Sequence, residues 1–205
     1  MSKPIAPKVL MRVRGTPVMW DGAVITYRSA LTIDADGSPR AYGPDDSGLD
    51  HTANAGHPGN WWGVVTDHHG IPIVQGPHDP FPGMYVSPTT YGRPEYPDAD
   101  PRKWINSEIV PYGVIPAPLR DLIAPILIGC RATITNITNG RQIEVVIAET
   151  GPSTHLGEAS IAAAKALGIP SDARTGGTEI QCLDWAIYPG QSAVINGERF
   201  HLQGK

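Results

Sequence analysis

Apolar and polar positions alternate along this chain in short bursts, and a helical period is sustained only once. Met11–Arg14, Val24–Tyr27 and Leu31–Ile33 read as short strands separated by Gly-Thr-Pro and Trp-Asp-Gly turns. Trp61-Trp-Gly-Val-Val-Thr and Ile71-Pro-Ile-Val-Gln flank Asp67-His-His-Gly as a hairpin, and Gly83–Ser87 adds a strand. Glu108–Pro116 is extended; its prolines remove ladder donors and predict an edge position. After the apolar run 124–130, Ala132–Thr138 and Gln142–Ala148 flank Asn139-Gly140, a two-residue hairpin signal. Gly157–Leu167 is the one helix, with Ile161, Ala164 and Leu167 on its apolar face and Gly168 and Pro170 ending it. Thr178–Ile187 and Ser192–Ile195 close the chain as strands, with a turn at Asn196-Gly197.

Two stretches break the pattern. Residues 34–60 are dominated by Asp, Gly, Pro, His and Asn, and 91–102 are polar and proline-rich. Long irregular segments inside a compact domain are usually functional or disordered. The expectation is a mainly β fold: a β-barrel-like domain, the double-psi type among its candidate topologies, with one short helix beside an active cleft. Residues 1–205 then form a single domain, with 36–102 as a loop-rich subdomain.

Composition narrows the picture. With 205 residues there is room for one sizeable core, and 23 Gly and 21 Pro suit many turns better than long helices. A net charge of −4 argues against a general nucleic-acid surface. No apolar run approaches the ~20 residues of a membrane span, and the first residues show no signal peptide. Cys130 and Cys182 lie on apolar segments and read as buried free thiols. His51, His57, His68, His69 and His78 lie in loops without metal-ligand spacing, and adjacent His68 and His69 should point apart. Asp34-Ala-Asp36-Gly37 resembles half of a calcium loop but lacks the remaining ligands, so an acidic turn at a cleft rim is the better reading. No metal or organic cofactor is expected. Trp61 and Trp62 are neighbours on a strand, so one enters the core while the other is placed to stack on a sugar ring. Gly-x-Ser-x-Gly, P-loop and Gly-x-Gly-x-x-Gly motifs are absent.

The chemistry concentrates in residues 145–167. An apolar strand delivers Glu149 at its end, a Gly-Pro turn follows, and Glu158 stands at the mouth of the helix. Two carboxyls across a cleft can hold opposite protonation states and act as general acid and general base. The plainer alternative makes Glu158 a first-turn acid favoured by the helix dipole and Glu149 a solvated strand-end residue.

Glu149-Thr-Gly151 followed by Gly157-Glu-Ala-Ser-Ile161 resembles the chitosanases of glycoside hydrolase family 75. Ile33-Asp-Ala-Asp-Gly37, Trp104-Ile-Asn-Ser-Glu-Ile-Val-Pro-Tyr-Gly-Val-Ile-Pro116, Gly59-Asn-Trp-Trp-Gly-Val-Val-Thr-Asp67 and Gly83-Met-Tyr-Val-Ser87 are similar to other segments of that family. The similarity runs from about residue 24 to about residue 190. The resemblance implies inverting endo-hydrolysis of β-1,4 bonds in chitosan, with Glu158 as general acid and Glu149 as general base. The family's first acid is normally Asp, so Glu149 departs from it by one methylene. Chitosan is a polycation, and Asp34, Asp36 and Glu108 are the candidates for holding its ammonium groups. The resemblance further implies an exported, monomeric enzyme with a carbohydrate as partner and no nucleic acid or membrane. Two other readings stay open: a non-catalytic carbohydrate-binding or particle-associated protein on the same fold, and a peptidoglycan-active enzyme.

Overall fold

The computed structural model describes residues 6–123, 125 and 127–204. Two members of the apolar run 124–130 therefore lie outside the described residues, as does the start of the chain. A hairpin, β1 (Lys8–Val13) and β2 (Thr16–Trp20), leads into the long β3 (Ile25–Asp34). The two segments expected at 24–27 and 31–33 are thus one strand. Along β3 the residues from Ile25 to Ile33 alternate between buried and more exposed positions, as a barrel wall requires. The irregular stretch that follows contains only short pairings, among them β4 (Gly56–His57) with β5 (Asn60–Trp61). Then come β6 (Tyr112–Pro116), the short helix α1 (Leu119–Leu122), β7 (Cys130–Asn136) and β8 (Gln142–Gly151). The chain continues through β9 (Glu158–Ser160), helix α2 (Ile161–Leu167), β10 (Thr178–Ser192), β11 (Val194–Ile195) and β12 (Glu198–Arg199).

Six strands close on themselves in the order β3-β10-β7-β8-β6-β9, with β9 returning to pair with β3. The halves β3-β6-β7 and β8-β9-β10 interleave. The middle strand of each half lies parallel to the first strand of the other, β9 beside β3 and β6 beside β8, and the remaining barrel pairs are antiparallel. This crossed connectivity is that of a double-psi barrel. Its interior is filled by Trp185, stacked on Tyr27 at 5.4 Å, with Ile134, Val145 and Ile147 all buried. Gly113 is required at that level: a Cβ there would meet the Trp185 ring at 2.7 Å.

Three expectations of local structure need correction: those for β6, for the Asn139-Gly140 turn and for the histidine pair. β6 is an interior strand, paired with β8 on one side and β9 on the other; its prolines do not force an edge because Pro116 occupies its last position and Pro111 precedes it. The 36–102 stretch contributes Ala41, Tyr42, Ala55, Val64 and Tyr91 to the same hydrophobic cluster as the barrel strands. The turn holding Asn139-Gly140 spans five residues between β7 and β8 rather than two. The rings of His68 and His69 lie 3.8 Å apart rather than pointing away. Cys130 and Cys182 are buried and free. Among the described residues no helix is long and apolar enough to cross a membrane.

Candidate active site

The outer face of the barrel wall carries the site, beneath the irregular stretch. Val114 on β6 stands in register with Glu149 on β8 and, on its other side, with Glu158 on β9; Glu158 in turn pairs with Thr32 on β3. Laterally paired residues project to the same face of a sheet. All four residues line one cavity of about 720 Å³. With one strand between them, the two glutamate Cα atoms lie roughly 10 Å apart at ~4.8 Å per strand step.

Glu149 reaches this face through a bulge. Ile147 pairs with Gly113 and Glu149 with Val114, so Ala148 is an extra residue in the ladder. Simple alternation from Ile147 would aim Glu149 into the barrel interior; the bulge turns it outward. The backbone of Ala148 is held there by an N–H bond from Tyr91 to its carbonyl, 2.8 Å. Glu158 corrects the sequence reading in a different way. It lies on β9 and not in the first turn of α2, which has no acidic first-turn residue; Ser160 is the cap, accepting from the Ala163 N–H. Its placement comes from β3 and β6, not from the helix dipole. Gly157, at φ +80° and with a carbonyl accepting from Thr32 N–H, turns the chain into β9.

The two acids are held differently. Glu149 accepts from Thr90 N–H and Thr150 N–H, each 2.6 Å, and from the Thr90 hydroxyl. Glu158 makes no side-chain hydrogen bond among the described residues. Burial raises the pKa of Glu149 to about 7, reinforced by the charge of Asp34 and opposed by the Thr90 and Thr150 donors. Burial, with Asp34 and Glu149 as negative neighbours, pushes Glu158 to about 8.

Asp34 and Asp36 share this cavity, but not as an exposed rim. Asp34 is buried and accepts the Asp36 N–H at 2.8 Å. Burial raises it to about 6, against the lowering effect of that N–H. Asp36 is raised well above the usual carboxylate range by burial and by Asp34 and Glu149, while a hydrogen bond to Tyr42 lowers it. Tyr112 donates its hydroxyl to the Asp36 carbonyl at 2.9 Å.

Glu108 does not join them. It forms an ion pair with Arg40 at 2.6 Å, accepts from Ser38, and is absent from the cavity lining. A carboxylate already neutralised by a guanidinium has little left to offer an ammonium ion.

The structure adds residues that sequence reasoning missed. Asp50, buried in the irregular stretch, accepts from Asn54 and from the His51 N–H. Thr90, Thr150 and His155 also line the cavity. Nothing in the local sequence marks Thr90 or His155, because their partners Glu149 and Thr32 lie 59 and 123 residues away. The Asp50 carboxylate bonds near neighbours, and what brings it to the cavity is the path of the irregular stretch. Of the tryptophan pair, Trp61 packs against the core and Trp62 remains 59% exposed at the cavity. The Trp62 indole N–H donates to the Asn54 carbonyl at 2.8 Å, which fixes the ring. The cavity lining includes no Lys or Arg, and among the described residues no cluster of three or more His, Cys, Asp or Glu is arranged to hold a metal ion. The chain matches no protein-family model and no curated protein.

Proposed function

We propose that this protein is an endo-acting glycoside hydrolase that cleaves the β-1,4 bonds of chitosan with inversion at the anomeric carbon. The observation that carries the reading is the shared register of Val114 with Glu149 and Glu158, which puts two carboxyls on one face of a cleft with a strand between them. Inverting hydrolysis needs about 6.5–9.5 Å between such carboxyls so that a water fits beside the sugar. Long side chains rising from Cα atoms roughly 10 Å apart suit that range. The resemblance of 149–161 to family 75 chitosanases supports the same substrate.

Each acid has a role that its surroundings favour. Glu158, protonated up to about pH 8 and bound to no other side chain, gives its proton to the leaving glycosidic oxygen. Glu149, held by Thr90 and Thr150, accepts the proton of the attacking water as its oxygen bonds to the anomeric carbon. The bond to the leaving oxygen breaks, and one water is added overall. Asp34, Asp36 and Asp50 give the cleft the negative charge that attracts glucosamine ammonium groups, and Trp62 offers a sugar ring a flat apolar face.

The test is release of reducing ends from soluble chitosan. Glu158→Gln should lower kcat by roughly 10²–10⁴-fold while chitosan binding is kept. Glu149→Gln should be severely impaired, whereas Glu149→Asp, the length usual in family 75, should retain activity. Full activity of Glu158→Gln would overturn the assignment. A Glu149→Gln variant as active as the wild type would move the base to another acid, with Asp34 the first alternative.

A further inference from the structure

A second cavity of about 220 Å³ adjoins the cleft. Thr32 and His155 line both spaces, and the Thr32 hydroxyl and His155 Nε2 are hydrogen-bonded at 3.1 Å. A single side-chain pair therefore stands between the two. The strand order gives the direction of travel: Glu149 on β8, Val114 on β6, Glu158 on β9 and Thr32 on β3 form a row across the wall, and β10 is the next strand. β10 supplies Glu179 and Gln181 to the second cavity. Four strand steps of ~4.8 Å span roughly 19 Å, room for several consecutive sugar rings.

The two spaces differ in charge. The main cleft is lined by Asp34, Asp36, Asp50, Glu149 and Glu158 without a basic residue other than His155. The second is lined by one acid, Glu179, and one strong base, Arg14, together with Gln181 and several threonines. Among the described residues the side chains of Arg14, Glu179 and Gln181 have no hydrogen-bond or ion-pair partner within the chain, so their donors and acceptors are free for a ligand. An ammonium ion gains little in such a place, because attraction to Glu179 is offset by Arg14. Hydroxyl and acetamide groups, which donate and accept at once, match the mixture.

We infer that the second cavity is a subsite for an uncharged sugar unit of the same polysaccharide, the N-acetylated unit of a partly acetylated chain, reached across the Thr32–His155 pair. The inference rests on the proposed hydrolase reading for its polymer. The enzyme would then favour chains that place glucosamine in the main cleft and an acetylated unit beyond Thr32.

The test compares the wild type with a Glu179→Ala, Gln181→Ala double variant, both positions being exposed and outside the proposed catalytic pair. The substrates are a glucosamine tetramer and glucosamine hexamers carrying one N-acetylated unit at either end. Loss of the contacts from Glu179 and Gln181 should lower kcat/KM about tenfold for one of the two hexamers, with the tetramer unchanged. An equal loss on every substrate, or no loss on any, would overturn the subsite. If the wild type cleaves none of these oligomers, the hydrolase reading fails. Calorimetric binding of the acetylated hexamers then decides the subsite separately: weakening by the double variant supports it, and unchanged affinity removes it.

Discussion

Thr90 and Glu149, 59 residues apart in sequence, are joined twice: the Thr90 backbone N–H bonds one carboxylate oxygen at 2.6 Å and its hydroxyl bonds the other. Both contacts favour the ionised acid, against the burial that disfavours it. Thr90→Val keeps the N–H and removes the hydroxyl. The variant should shift the acidic limb of the pH–rate profile upward by roughly 0.5–1 unit, the worth of one ordinary hydrogen bond of about 1 kcal/mol. Activity on soluble glucosamine oligomers should fall several-fold at pH 6 and approach the wild-type rate at pH 8. An unshifted limb would show that Glu149 is not the group titrating there.

Wild-type kcat/KM on the same oligomers should be bell-shaped, with limbs near 7 and 8 set by Glu149 and Glu158. The base must be ionised and the acid protonated, and the raised values of both leave a narrow window near neutrality. Profiles recorded from pH 5 to 9 test this, and a plateau running down to pH 5 would contradict it.

The same groups set a pH dependence of stability. Glu158 has its ordinary value of 4.5 when unfolded and about 8 when folded, and Glu149 rises from 4.5 to about 7. Between these limits the folded state binds more protons than the unfolded chain, so stability falls as pH rises from about 5 to 8. The melting temperature should decline over that range by several degrees. Glu158→Gln, with nothing to ionise, should have a shallower decline and should melt above the wild type at pH 8. Scanning calorimetry at several pH values measures both.

Asp34 raises the pKa of Asp36, Glu149 and Glu158 through its charge. In Asp34→Asn the amide oxygen can still accept the Asp36 N–H, but the charge is gone. The alkaline limb should move to lower pH, and stability at pH 8 should rise by about 1–2 kcal/mol as buried repulsion is relieved. Denaturant unfolding and the pH–rate profile provide the two readouts. A destabilised variant at pH 8 would show that the Asp34 hydrogen bonds outweigh its repulsion.

Gly157→Ala probes the placement of Glu158. The added Cβ would lie 2.2 Å from both the Ala30 carbonyl oxygen and the Ser29 hydroxyl, at a residue whose φ is +80°. The left-handed conformation alone costs about 1–2 kcal/mol for a residue with a Cβ, so total destabilisation should exceed about 2 kcal/mol. Activity of the folded fraction should also fall, because Glu158 is the next residue. Urea unfolding and activity below the midpoint test the two effects; a variant as stable as the wild type would argue against this geometry at Gly157.

Much of the barrel was legible because its strands alternate with period two, and because Asn139-Gly140 and Gly168 mark ends that local backbone preferences enforce. The pairing of Glu149 with Glu158 as candidate chemistry was legible for the same local reason: one acid ends an apolar strand and the other follows a glycine turn. The alternation failed where the chain leaves its period. At Ala148 one extra residue reverses the face of β8, and only the ladder with β6 reveals it. Glu158 looked like a helix-start acid because the three residues of β9 are too short to show a strand pattern, and their pairing with β3 and β6 is long-range. Asp34 and Asp36 looked exposed because an acidic Gly-containing turn usually is; the folded chain leaves Asp34 buried and Asp36 half-buried. Glu108 looked available until Arg40 was found beside it. The sequence by itself marked most of the barrel strands, the end of the helix and which acids were worth watching. Only the tertiary structure decided which of them share a cleft, because burial, neighbouring charge and strand register arise between residues distant along the chain.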